Sequence, residues 1–190
     1  KLFNDAAEKM KDAILTHLYD KDLKMFVKLL NTHNGEMVYD KTIDMSSIHG
    51  IYTYGVLDIH DTIVKESITT IEETLRIHTG IDGVPRYNGD RYYMQVEGVP
   101  NPWYITTLWL AQFYAITAKK AEDLKEVEYW LNWVVIHSPL SGVLSEQLHP
   151  FTGEQLSSNP LTWSHAEYVR TIMRYHDALS RLGLCTPLSH

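Results

Sequence analysis

Apolar residues at Phe3, Ala7, Met10, Ile14 and Leu18 recur at helical spacing until the polar run Tyr19-Asp20-Lys21-Asp22 breaks the pattern. That spacing predicts a first amphipathic helix ending there. Residues 24 to 45 keep no period and hold Gly35 within the polar stretch Asn31 to Glu36, so they read as a long connection with a short extended pair. Asp44 or Ser46 can cap a second helix bearing Ile48, Ile51, Tyr52 and Val56, weakened by Gly50 and Gly55. Thr62 begins a third helix, with Val64, Ile68, Ile71 and Leu75 on one face and Lys65, Glu66, Glu72 and Glu73 turned mainly away, the pattern of a half-buried outer helix.

Residues 79 to 100 form a glycine-bearing, polar and aromatic loop that includes Pro85-Arg86-Tyr87-Asn88-Gly89-Asp90-Arg91-Tyr92-Tyr93. A loop of that length and make-up usually has a task beyond connection. Asn101-Pro102 predicts a helix start, Asn as cap and Pro at the first helical position. The helix through Trp103, Leu108, Trp109, Phe113, Tyr114 and Ile116 is apolar on nearly every side and belongs inside. A fifth helix, Asp123 to Ile136, carries one stripe of Val127, Trp130, Leu131, Val134 and Val135. After a second long loop, residues 137 to 161, a sixth helix runs from Thr162 to Leu182 with Ala166, Val169 and Met173 expected toward the core and Gly183 as its stop. The pattern predicts an all-α fold of six helices, arranged as inner and outer hairpins in which apolar members alternate with one-sided ones.

Composition narrows the function classes. Lys and Arg total 17 against 24 Asp and Glu, a formal charge of -7, which argues against a broad phosphate-binding surface and hence against nucleic acid. No apolar run reaches the ~20 residues that span a bilayer, and no signal-peptide pattern follows Lys1. The single cysteine, Cys185, has no internal partner for a disulfide, a weak pointer to the cytoplasm; location otherwise stays open. Ten histidines form neither His-Glu-x-x-His nor a tight cluster, so no metal site is expected, and no phosphate loop, dinucleotide fingerprint or Gly-x-Ser-x-Gly elbow is present.

Two loops can hold chemistry. In Leu144-Ser145-Glu146-Gln147 a carboxylate at the mouth of a helical cavity can hold and deprotonate a water; the plain alternative is a solvated loop Glu. Gln147 can orient a sugar hydroxyl or bridge loop backbone. In Arg86 to Asp90, an Arg fork and a carboxylate can bind adjacent hydroxyls while Tyr87 or Trp103 offers a ring face, or the Arg86 and Asp90 pair can simply fasten the loop. Trp109, Trp130 and Trp133 read as core. His165, one turn into the last helix, reads as a structural contact to a neighbouring loop.

Taken in order, Gly83-Val84-Pro85-Arg86-Tyr87 with Asp90 and Tyr92, Asn101-Pro102-Trp103, Ser145-Glu146-Gln147, and Gly153-Glu154-Gln155-Leu156-Ser157 with Leu161-Thr162-Trp163-Ser164-His165-Ala166 resemble the C-terminal half of glycoside hydrolase family 15. The family includes glucoamylases, glucodextranases and some microbial trehalases. The resemblance implies that residues 1–190 form half of an (α/α)6 catalytic barrel that hydrolyses α-glucosides with inversion and without a metal or organic cofactor. It implies Glu146 as general base, Arg86 as the holder of glucose hydroxyls, Tyr87, Asp90 and Trp103 as supports of that subsite, and Glu154 and Trp163 as braces of the base loop and pocket wall. Asp44 and Ser46 match an Asp-x-Ser of the family and are expected as structural caps. The general acid is expected in a missing N-terminal half, and without that half the exposed inner helices favour self-association. The sequence leaves open a catalytically inactive fragment or a noncatalytic saccharide-binding remnant.

Overall fold

The structure, a computed structural model, describes residues 1–185. Its regular elements are six α-helices, one short 3-10 turn and three two-stranded antiparallel pairs, so the fold is all-α as the pattern requires. The chain divides into two compact units, the second beginning at Arg76.

The first unit holds α1 (Leu2–His17), β1 (Tyr19–Asp20), β2 (Met25–Phe26), β3 (Leu29–His33), β4 (Glu36–Asp40), α2 (Met45–Thr53) and α3 (Thr62–Leu75). The irregular stretch after α1 is therefore two tight ribbons, β1 with β2 and β3 with β4. α3 packs on α2 and β2, and its anticipated stripe of Val64, Ile68, Ile71 and Leu75 is buried with Met25, Phe26, Met45 and Ile48. Asp44 caps α2, accepting from the Ser46 amide at 2.9 Å and the Ser46 hydroxyl at 2.6 Å. The helix stops at Thr53, short of Val56, where Gly55 turns the chain with a φ of 70°. α1 buries none of its residues, leaving Leu2, Phe3 and Met10 exposed.

The second unit holds α4 (Tyr104–Thr117), a 3-10 turn (Ala121–Leu124), α5 (Lys125–His137), β5 (Gln147–Leu148), β6 (Gln155–Leu156) and α6 (Thr162–Arg181). α4 packs against both α5 and α6, and every residue from Tyr104 to Phe113 is buried, the inner helix its all-round apolarity demands. Arg181 closes its C-terminal end, donating to the Ala118 carbonyl at 2.7 Å and the Ala115 carbonyl at 3.0 Å, where a cation also meets the negative end of the helix dipole.

Three expectations change here. Asn101 and Pro102 do not open α4: Trp103 occupies the cap position, and the Asn101 amide instead donates to the Tyr93 carbonyl at 2.9 Å and to Gln147 Oε1 at 2.7 Å. A buried amide gains more by tying two loops together than by capping a helix whose first amides already have other acceptors. Within α5, Val135 is exposed and Trp133 is buried in its place. The largest change is in α6, where Val169 and Met173 are about half exposed and Ala166 is exposed, while Ser164, Glu167, Thr171 and Ala178 face inward. The inward polar groups have partners: Ser164 donates to the Ser145 carbonyl, Thr171 to the Glu167 carbonyl, and Glu167 accepts from Gln112 and Trp163. Satisfied hydrogen bonds are what let a polar stripe sit inside.

Ahead of the site loop, Arg76 grips Asp82 through three hydrogen bonds of 2.7, 3.0 and 3.1 Å and lies 4.7 Å over the Trp130 ring. Burial pushes the Asp82 carboxyl up, but hydrogen bonds from Arg76, the Gly83 amide and Tyr129 outweigh it and hold the group below its ordinary 3.8. The sign of the linkage follows. This contribution is fully present above the unfolded value and disappears as pH falls through the lower folded one. Asp82→Asn is accordingly destabilising at neutral pH, and urea melts of the variant and the parent protein converge in acid as pH falls through the lowered folded-state value. A gap of equal size at both pH values contradicts the assignment.

Candidate active site

The site lies within the second unit and is built from two arms meeting at the start of α4. In the first arm, the Val84 carbonyl accepts from the Thr106 hydroxyl at 2.5 Å and the Trp103 amide at 3.1 Å, and the Val84 amide donates to Thr107 Oγ1 at 2.9 Å. Gly83 makes this approach possible. Its φ is 115°, and a Cβ there would lie 2.6 Å from Pro102 Cβ.

Beyond Pro85 the chain delivers Arg86, whose guanidinium forms a two-pronged pair with Asp90, Nε to Oδ2 at 2.7 Å and Nη2 to Oδ1 at 2.8 Å. Asp90 is 2% exposed and also accepts from the Tyr92 amide at 3.0 Å. The guanidinium carbon sits 4.2 Å from the centroid of Trp103, 5.1 Å from Tyr92 and 5.2 Å from Tyr87, so three rings surround one cation. The hydrogen bond to Asp90 raises the Arg86 pKa above its ordinary value against the opposing effect of burial, and the fields of Asp90, Tyr87 and Glu146 add to the rise. Glu146 thus lies within electrostatic reach of Arg86.

The second arm, residues 143 to 148, carries Glu146. Its amide donates to the Ser158 carbonyl at 3.0 Å, its carbonyl accepts from the Tyr104 amide at 3.4 Å, and the Leu148 amide reaches the Pro102 carbonyl at 3.0 Å. Gln147 bridges to Trp103, and β5 pairs with β6. The Glu146 side chain is half-buried, and its Oε2 accepts from the Ser157 hydroxyl at 2.5 Å. Ser157 adopts a φ of 64°, a conformation that a serine takes at some cost and that aims its hydroxyl at the carboxylate.

Of the residues expected at the site, the structure brings Arg86, Tyr87, Asp90, Trp103, Glu146 and Gln147 to these two arms. Gln147 is fully buried with its carbonyl oxygen on Asn101, a bracing position. The Glu154 side chain is exposed in the turn between β5 and β6, where its backbone carbonyl accepts from the His149 amide. Trp163 is 51% exposed, packs edge-on against Trp109 and donates its indole N–H to Glu167 Oε1 at 3.0 Å. Trp109, Trp130 and Trp133 are core, and His165 accepts from the Leu144 amide on the arm that carries Glu146, as a structural histidine does. Ser157 and Tyr92 had no assigned role; both stood inside quoted motifs, but nothing in their spacing tells which oxygen a serine meets. Among the described residues no three His, Cys, Asp or Glu side chains converge as a metal-ligand set, and no helix is long and apolar enough to cross a membrane.

The second unit thus presents, on a helical frame, a half-buried carboxylate held by a serine hydroxyl and an arginine walled by aromatic rings. Comparison with known proteins relates this fold to glycosidases. The family model "Glycosyl hydrolases family 15" matches residues 128–173. An uncharacterised glycosyl hydrolase of Methanocaldococcus jannaschii is 31% identical over 171 residues, covering 85% of this chain and 26% of the relative. The chain therefore spans about a quarter of the length of that curated relative. Among solved structures, the fold matches a bacterial glucoamylase complexed with acarbose with a TM-score of 0.62 at 22% identity, over 79% of this chain and 23% of that one. It matches the Hormoconis resinae glucoamylase with a TM-score of 0.63 at 21% identity, over 93% and 39%. A protein named only as a wild-type glycosidase gives 0.65 at 19%, over 95% and 44%. The chain is related to glycosyl hydrolases and shares the fold of glucoamylases.

Proposed function

We propose that residues 1–190 are the C-terminal half of an (α/α)6 catalytic domain of glycoside hydrolase family 15 and carry the general base of an inverting α-glucosidase. Glu146 takes a proton from water as that water attacks the anomeric carbon. A general acid in the rest of the protein, about 6.5 to 9.5 Å away, protonates the leaving oxygen, and β-glucose departs from an α-glucoside. Arg86, held flat by Asp90 and the rings of Tyr87, Tyr92 and Trp103, binds sugar hydroxyls, and Trp163 and Glu154 brace the pocket wall and the loop that carries Glu146. The observation that carries this reading is the half-buried Glu146 carboxylate, fixed through one oxygen by Ser157 and lying in the field of Arg86.

The exposed apolar residues of α1 (Leu2, Phe3, Met10) and α6 (Val169, Ile172, Met173) support a covering partner, the N-terminal half or, for the isolated chain, a second copy. A self-paired chain brings two bases and no acid, and is inactive. The test is hydrolysis of maltose, isomaltose and trehalose by the full-length protein, with the released anomer followed by proton NMR. β-Glucose appears first. From maltose or isomaltose an initial excess of α-glucose beyond the leaving sugar's own share, from trehalose α-glucose without an equal amount of β-glucose, or binding of all three sugars without cleavage, rejects inverting hydrolysis.

A further inference from the structure

We propose that His165 is a positioning residue for Glu146, acting through the Leu144 amide; this rests on the base role given to Glu146 above. The base arm is fastened differently at its two ends. Its C-terminal end is held by the β5–β6 ladder and by the Leu148 amide on Pro102. At its N-terminal end Gln155 donates to the Val143 carbonyl at 2.8 Å, and the remaining ties come from the first turn of α6: the Leu161 amide to the Leu144 carbonyl at 2.9 Å, the Ser164 hydroxyl to the Ser145 carbonyl at 2.7 Å, and the Leu144 amide to His165 Nε2 at 3.1 Å.

The last of these differs in kind. The others occupy carbonyls, which have a second lone pair and tolerate change, whereas Leu144 is 2% exposed and its amide has one proton to place. Because a backbone N–H donates, the accepting ring nitrogen must be bare, so His165 works as the neutral imidazole with its proton on Nδ1. Without that acceptor the amide must reach water by moving the arm, and Glu146 lies two residues on. A displacement of that carboxylate relative to a fixed sugar is felt in the chemical step more than in binding.

The test uses the full-length protein in two variants and one spectrum. His165→Leu removes the acceptor, while His165→Gln places a carbonyl oxygen at the same distance along the side chain. The expected result is a kcat about tenfold lower for the Leu variant, the loss of one hydrogen bond's worth of orientation, with KM within about twofold. The Gln variant returns kcat to within about threefold of the parent protein. Long-range proton–nitrogen spectra of histidine-labelled parent protein show His165 with Nε2 bare and Nδ1 protonated. Equal kcat in all three proteins, equal loss in both variants, or a proton on Nε2 overturns the proposal; where the Leu variant does not fold, the Gln variant and the spectrum decide. Glu146→Gln is assayed alongside. If it keeps full kcat, the glycosidase reading fails and takes the Glu146 role with it, while the spectrum still reports whether the clamp exists.

Discussion

Replacing Glu146 by glutamine in the full-length protein lowers kcat by about a thousandfold and leaves KM within about threefold, the signature of a group that acts on the proton in flight rather than on the bound sugar. Glutamine has the same length and can still accept from the Ser157 hydroxyl, so the arm keeps its two backbone ties to Ser158 and Tyr104 and the fold is undisturbed. What it lacks is an oxygen basic enough to take the proton from water. The measurement is steady-state turnover of maltose, with thermal melts to show unchanged stability. A variant of parental kcat removes Glu146 from the mechanism and leaves the arm as a structural hairpin.

The second large effect is expected at Arg86. Asp90 is almost wholly buried and its two oxygens are held by the two prongs of the guanidinium. Arg86→Leu removes the cation and strands the carboxylate, which costs about 3 kcal/mol, the low end for a buried pair because the Arg86 side chain keeps 34% of its exposure. Asp90→Asn is milder, since the cation left behind is the more exposed partner and the amide oxygen still accepts. Arg86→Lys does not rescue: an ammonium has no planar fork for Asp90 and no flat face to lie 4.2 Å from Trp103. Urea denaturation at neutral pH ranks the three variants, and sugar affinity falls in each of the Arg86 variants. An Arg86→Leu protein as stable as the parent shows that the pair is a surface decoration, against the burial of Asp90.

The two arms explain why some of the site was readable and some was not. Arg86 and Asp90 are four residues apart in a loop rich in turn residues, so their pairing is local and visible in the order of residues. Glu146 stood out because it is the one carboxylate in an otherwise apolar and amide-rich stretch, Leu144 to Leu148. Ser157 did not, because its contact with Glu146 spans 11 positions and depends on a backbone twist at Ser157 itself. Gln147 permitted two readings, and its burial against Asn101 is a property of the loop from 93 to 101 folding over it.

Periodicity alone determined the number of helices, the buried stripe of α3 and the inner position of α4, since a helix apolar on one face or on all faces has only one low-energy way to meet water. The same rule misplaced the face of α6. Val169 and Met173 point outward, because Ser164, Glu167 and Thr171 find partners on the arm that carries Glu146, on α4 and on α6 itself, and hydrogen bonds between groups 19 and 55 positions apart leave no trace in local spacing. Which face turns inward was therefore decided by the tertiary structure, where a satisfied polar group costs little to bury and brings the first turn of α6 onto the arm that carries Glu146.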